Sequence, residues 1–196
     1  MRTVGVLLFP EFELLDVFGP LEMLGMLEDV EVRLVAERTD VASTQGPRSL
    51  VDDLLAEARD YDILLVPGGR GTRREVANPE LLSWLKAKSA RAEYVASVCT
   101  GSALLARAGL LDGLEATSNK LAFEWVRTQG PNVLWQPRAR WVEAGKYFTS
   151  SGVSAGMDMS LALIARIYGA EQARQVADWA EYVWSDDPSL DPFAPR

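Results

Sequence analysis

The chain has 196 residues, 48% of them hydrophobic, a formal net charge of −8, one cysteine and no histidine. A chain of that length can enclose one well-covered core, so residues 1–196 are expected to form a single domain. The acidic balance, without any dense Lys/Arg run, argues against nucleic-acid and anionic-membrane partners. The missing histidine excludes a Cys-His or Ser-His dyad and any imidazole-based metal site within the chain.

Residues 3–9, "TVGVLLF", form an apolar run of strand length, too short for a signal-peptide core or a bilayer span. A lone cysteine cannot close an internal disulfide, which points to a reducing cytoplasm. Residues 12–24, "FELLDVFGPLEML", carry Asp16 in an otherwise apolar stretch. Pro20 suits the first turn of a helix over residues 20–27, which leaves Asp16 on the approach to it. A carboxyl among Leu14, Leu15, Val17 and Phe18 is expected to be desolvated and raised toward a general-acid pKa; a solvated capping acid is the plainer reading. Residues 30–36 alternate as a second strand. Residues 62–66 form a third, ending in "PGGRG". Its glycines either serve a tight turn or present backbone N–H groups, with Gly69 as the donor toward the cysteine sulfur. The segment lacks the G-K-[ST] ending of a phosphate loop.

A helix over residues 79–90 precedes a fourth strand at 94–98, which runs straight into Cys99, and a second helix over 102–111 follows it. Residues 141–152 read as a hairpin turning at Ala144 and Gly145. Residues 153–169 read as a buried helix, and 170–184 as an amphipathic one. The tail, with Pro188, Pro192 and Pro195, cannot propagate a helix and reads as an extended strap. Apolar strands separated by helices predict a mainly parallel sheet covered on both faces, with ligands beyond the carboxyl ends of the strands. Those ends carry "FPEFELLD", "PGGRG" and "CTG", so the three are expected along one edge. At a strand–helix joint, Cys99 meets free N–H groups, notably that of Thr100, and its thiol pKa is expected to fall. Gly101 lets the backbone pass close to a ligand. Against this stands the plain alternative of a buried, inert cysteine.

Together these segments resemble the ThiJ/PfpI superfamily, along "VGVLLFPEFELLDVFGPLEML", "DILLVPGG", "SVCTGSALLARAGLLDG" and "TSSGVSAGMDMSLALIA". The resemblance implies an α/β, flavodoxin-like three-layer sandwich with a mainly parallel sheet, a cysteine nucleophile elbow and a homodimer. The opening stretch and "VCTGSALLA" look most like the isonitrile hydratase branch. That likeness implies hydration of isonitriles to N-substituted formamides without metal or organic cofactor, by Cys99, Asp16 and Thr100, with Gly69 and Thr100 supplying donors to the substrate. After "LLDG" relatives often read A-T-T-H-W, whereas this chain reads "ATSNK" over residues 116–120. Asn119 thus stands where a histidine would be, which removes the Cys-His arrangement of protease-like members and makes Asn119 and Lys120 candidates for lining the pocket. Regulators of the superfamily continue into a helix-turn-helix domain, for which 196 residues are expected to leave no room. Two alternatives to a hydratase remain: a non-catalytic redox-sensing or stress-response protein that oxidises Cys99, and a glyoxalase/deglycase activity, in whose branch a Glu replaces Asp16.

Overall fold

Strands that are apolar on both faces need cover on both faces, and the elements alternate to supply it. The computed structural model describes residues 1–56 and 59–194. In chain order it contains β1 (Arg2–Leu7), α1 (Leu14–Gly25), β2 (Val30–Ala36), β3 (Asp40–Ala42), β4 (Arg48–Leu50), β5 (Asp53–Leu54), β6 (Ile63–Val66), α2 (Thr72–Glu75) and α3 (Pro79–Arg91). There follow β7 (Tyr94–Ser97), α4 (Gly101–Arg107), β8 (Glu115–Ala116), α5 (Phe123–Gln129), β9 (Leu134–Trp135), β10 (Trp141–Ala144), β11 (Tyr147–Ser150), α6 (Ala155–Tyr168) and α7 (Ala170–Trp179).

The main sheet has seven strands in the order β10-β11-β7-β6-β1-β2-β5, parallel throughout except for β10 at one edge. After β1 the chain adds β2 on one side, then returns to place β6 on the other. The strand order therefore reverses between β1 and β6, which is where open α/β sheets bind ligands. Helices α1, α6 and α7 pack together along one side, and α4 gathers α2, α3 and α5 on the other, giving the α/β sandwich. The edge hairpin turns at Gly145, whose φ of 63° suits a residue without Cβ, as the sequence leads one to expect.

Helix α1 departs from expectation. It begins at Leu14, so Pro20 lies inside it and Asp16 stands in its first turn. The reason is periodic burial: Asp16, Pro20, Met23 and Leu24 recur at helical spacing on one buried face. Proline in that position removes the bond to the carbonyl four residues earlier, which is that of Asp16. Packing against α6 offsets the loss. A side chain at Gly156 of α6 would come within 2.8 Å of Val98 and 3.4 Å of Pro20, so only glycine permits this approach. The helix leaving Cys99 stops at Arg107, shortly before Gly109 turns to φ 72°. The helix α7 ends at Trp179, not at residue 184. The tail strap is present as far as the description reaches, and Pro195 lies outside the described residues.

Phe148 on β11 is fully buried and meets Tyr94 edge-on, with ring centroids 5.9 Å apart. Phe148→Ala is expected to cost about 3–5 kcal/mol. Urea denaturation read by far-UV circular dichroism checks this, and a loss under about 1 kcal/mol would mean that β11 is not packed as described.

Candidate active site

The carboxyl ends of β1, β6 and β7 bring the three chemically unusual segments together, as their positions in the sequence suggest. Cys99 follows β7 in a left-handed conformation, φ 57°, which costs a residue with a Cβ on the order of 1–3 kcal/mol. Its neighbours hold it there. The Cys99 N–H donates to the Ser151 carbonyl at 3.1 Å, and the Cys99 carbonyl accepts from Ser118 Oγ at 2.8 Å and Ser102 Oγ at 3.2 Å. The turn also needs Gly101, because a Cβ there would sit 2.2 Å from the Val66 carbonyl oxygen.

Asp16 is fully buried. Its Oδ2 accepts the Gly68 N–H at 2.9 Å, while Oδ1 has no hydrogen-bond partner among the described residues. Burial pushes the carboxyl up to about 8; the Gly68 N–H pulls the other way, the Glu13 carboxylate adds to the rise, and the Cys99 thiol lowers it. The desolvation expected from the apolar neighbours is thus present, although it comes from the helical face and not from a loop.

The thiol contradicts its expectation. Cys99 is only 7% exposed, and burial drives its pKa up, reinforced by the nearby Asp16 carboxyl. The N–H groups of Thr100 and Val153 and the Thr100 hydroxyl favour the thiolate but do not prevail. The terminal amides of a short helix cannot match the cost of placing a thiolate in so dry a space. Two acids therefore share one poorly solvated volume, and at neutral pH both keep their protons.

The Thr100 hydroxyl is held from behind. Its Oγ1 accepts the Gly69 N–H at 3.1 Å and lies 3.1 Å from Thr72 Oγ1. Thr72 Oγ1 also lies 2.7 Å from the Gly69 carbonyl, and the Thr100 hydroxyl stands 3.4 Å from that same oxygen while lying beside the sulfur. The Gly69 N–H is consequently engaged by Thr100 and does not reach the sulfur directly. Like Gly69, Gly68 is constrained. A Cβ there would lie 2.6 Å from Thr100 N and Oγ1 and 2.9 Å from Asp16 Oδ2.

A pocket of about 430 Å³ opens over Cys99, bordered by Gly69, Thr100, Asn119, Val153 and the charged residues Glu13, Arg70 and Arg73. Asn119 is placed at the wall as expected, its Oδ1 capping the Ala122 N–H at 3.0 Å. Lys120 is not. Its Nζ donates to the Ala139 carbonyl at 2.6 Å and to Thr117 Oγ1 at 2.9 Å, and stands 3.9 Å from Asp191 beneath the tail. Burial there lowers its pKa to about 8. Arg70, Thr72 and Arg73 are not announced by the "PGGRG" turn when it is read for its glycines and backbone N–H groups; the available signal is three polar side chains within seven residues of the end of β6. Among the described residues no group of three or more His, Cys, Asp or Glu could hold a metal ion.

A model described as the DJ-1/PfpI family matches residues 2–166. The chain is 34% identical to an isonitrile hydratase of Pseudomonas putida over 91% of this chain and 78% of that one. It is 30% identical to the HTH-type transcriptional regulator GbdR of Pseudomonas aeruginosa, over 92% of this chain but 51% of the regulator, so it spans about half of that relative's length. Among solved structures it is similar to a ThiJ/PfpI family protein from Pseudomonas syringae, with a TM-score of 0.86 and 30% identity over 98% of this chain and 79% of that one.

A carboxyl held protonated near pH 8 in the folded state and ionised in the unfolded one lowers stability at neutral pH, at about 1.4 kcal/mol per pH unit between the two pKa values. The cost is absent below the unfolded pKa near 4 and grows as pH rises toward about 8. Asp16→Asn is therefore expected to raise the melting temperature at pH 7 by about 5 °C or more, with the gain vanishing near pH 4. Thermal denaturation of both proteins across that range decides it; an unchanged or lowered melting temperature at pH 7 would contradict a dry Asp16.

Proposed function

The chain belongs to the DJ-1/PfpI family, and on that footing we propose that it hydrates isonitriles to N-substituted formamides, residues 1–196 acting as one domain. The observation that carries this reading is Asp16: a buried carboxyl with an unpartnered oxygen, kept neutral to about pH 8 beside the thiol of Cys99. The isonitrile's terminal carbon must be protonated, and a neutral carboxylic acid at working pH is the group for that step.

The reaction runs without building charge. Asp16 hands its proton to the terminal carbon of R–N≡C as the sulfur adds, and the carboxyl recovers a proton from the thiol. One S–C bond and one C–H bond form, giving the thioimidate R–N=CH–S–Cys. Water then adds to that carbon, Asp16 taking a water proton and giving its own to the imine nitrogen. Collapse of R–NH–CH(OH)–S–Cys sends the hydroxyl proton through Asp16 to the sulfur, which releases R–NH–CHO and restores the thiol. The N–H groups of Thr100 and Val153 and the Thr100 hydroxyl stabilise partial charge on sulfur at each crossing. Gly69 acts through Thr100, and Asn119 closes one wall of the pocket.

A redox-sensing role needs an accessible, easily ionised thiol. The 7% exposure of Cys99 and its raised pKa favour turnover over oxidation. We also infer a homodimer in the cytoplasm. Leu15 and Phe18, three apart on the outer side of α1, are 38% and 40% exposed, and Leu121 next to the pocket is fully exposed. No helix among the described residues is long and apolar enough to cross a membrane.

Formamide release from an alkyl or aryl isonitrile tests the reading. Cys99→Ser is expected to abolish turnover, and Asp16→Asn to lower it about 10²–10⁴-fold while Cys99 still reacts with an alkylating agent. In the wild type, kcat/KM is expected to fall as pH rises through about 8, because Asp16 then loses the proton it must donate. Wild-type release equal to that of Cys99→Ser would end the proposal. Sedimentation at micromolar concentration is expected to show twice the 21.6 kDa of one chain, and a 21.6 kDa species alone would exclude the dimer.

A further inference from the structure

The rim of the Cys99 pocket carries a charge opposite to that of the chain. The protein as a whole is at −8, and its field repels small anions. Yet two arginines, Arg70 and Arg73, border the pocket against one acid, Glu13, whose carboxylate is engaged by the Gln45 amide. The neighbouring Arg74 is paired with Glu11 and Glu75. Arg70 and Arg73 make no ion pair among the described residues.

Arg73 is also oriented in advance. Its guanidinium carbon lies 3.8 Å from the centre of the Trp125 ring, and its Nη1 donates to Thr72 Oγ1 at 3.2 Å. Thr72 in turn backs the Thr100 hydroxyl at the sulfur. Stacking on an aromatic face fixes the plane of the fork and leaves its other N–H groups for a ligand, so less entropy is lost when an anion docks. A neutral alkyl or aryl isonitrile has no use for such a group. A carboxylate does, because the two parallel N–H donors of a guanidinium match its two oxygens.

We propose that the substrate is an isonitrile that bears a carboxylate, with its terminal carbon at Cys99 and its carboxylate on Arg73, Arg70 standing by. This rests on the isonitrile hydratase reading of the site, but the anion half stands on its own geometry. The carboxylate takes no part in bond making: water is added across the isonitrile carbon and nitrogen, and the acid group leaves unchanged on the formamide.

The experiment compares an isocyano carboxylate with its methyl ester in the wild type and in Arg73→Met, whose side chain keeps a stem that can lie on Trp125. In the wild type kcat/KM is expected to favour the acid by about tenfold or more, the range of a charge-assisted pair, and added salt is expected to shrink that ratio. In Arg73→Met the ratio is expected to fall to about twofold or less. A second readout needs no isonitrile: alkylation of Cys99 by iodoacetate relative to iodoacetamide, expected to be about tenfold more biased toward the anion in the wild type than in the variant. Turnover of both isonitriles at equal efficiency, with the same alkylation bias in both proteins, overturns the carboxylate and leaves the hydratase. Turnover of neither, with the Arg73-dependent alkylation bias intact, overturns the isonitrile and leaves an anion-binding thiol site.

Discussion

The site depends on keeping water away from one carboxyl. Asp16 reaches its position because α1 presents it on the same buried face as Pro20 and Met23, and because α6 approaches closely enough at Gly156 to close that face. Gly68 donates a hydrogen bond to the carboxyl and has no side chain, so that Asp16, Thr100 and the β6 turn can meet within 3 Å of where a Cβ would be. In so dry a volume neither the carboxyl nor the thiol ionises readily, and chemistry by proton relay is favoured over chemistry by a standing thiolate. In the hydratase we propose, the carboxyl's stability cost and its usefulness as an acid are one property, the familiar opposition between stability and activity.

The second constraint is the left-handed backbone at Cys99. It is held by the carbonyl of Ser151 and the hydroxyls of Ser102 and Ser118, which come from three separate parts of the chain. Ser118 belongs to the segment that also places Asn119 at the pocket wall and Lys120 under the tail. The tail is anchored by charge: Arg140 meets Asp158 at 2.5 Å and lies 3.9 Å from Asp191, while Asp158 also accepts from the Tyr182 hydroxyl and the Ser185 N–H. Burying such groups costs desolvation that hydrogen bonds only partly return, so the network contributes geometry more than net stability. It fixes the loop that carries the elbow's supporting hydroxyl.

The pocket combines two electrostatic regimes a short distance apart. Its floor suppresses charge by burial. Its rim presents guanidinium groups to solvent, in a protein whose net charge would otherwise repel an anion. The carboxylate-bearing isonitrile we propose would be gathered by its charged end and transformed at its neutral one.

The layered α/β plan, the run of strands into helices, the hairpin at Gly145 and the convergence of Asp16, the "PGG" turn and Cys99 on one edge are legible in the amino-acid sequence. Those follow from local apolar periodicity and from the rule that parallel strands send their carboxyl ends the same way. Even the helical phase of Asp16 was legible, because it lies four residues before Pro20 and seven before Met23; the proline obscured it by marking a start that packing against α6 overrode. Only the tertiary structure decided the ionisation of Cys99, the rim arginines and the orientation of Lys120. The first rests on how much water the assembled elements exclude, which no local motif reports. The second joins Arg73 to Trp125 across 52 positions of chain. The third turns on the Ala139 carbonyl and the Asp191 carboxylate, which meet Lys120 only once the chain has folded. Desolvation and stacking are sums over neighbours distant in sequence, and they acquire values only when the chain has folded.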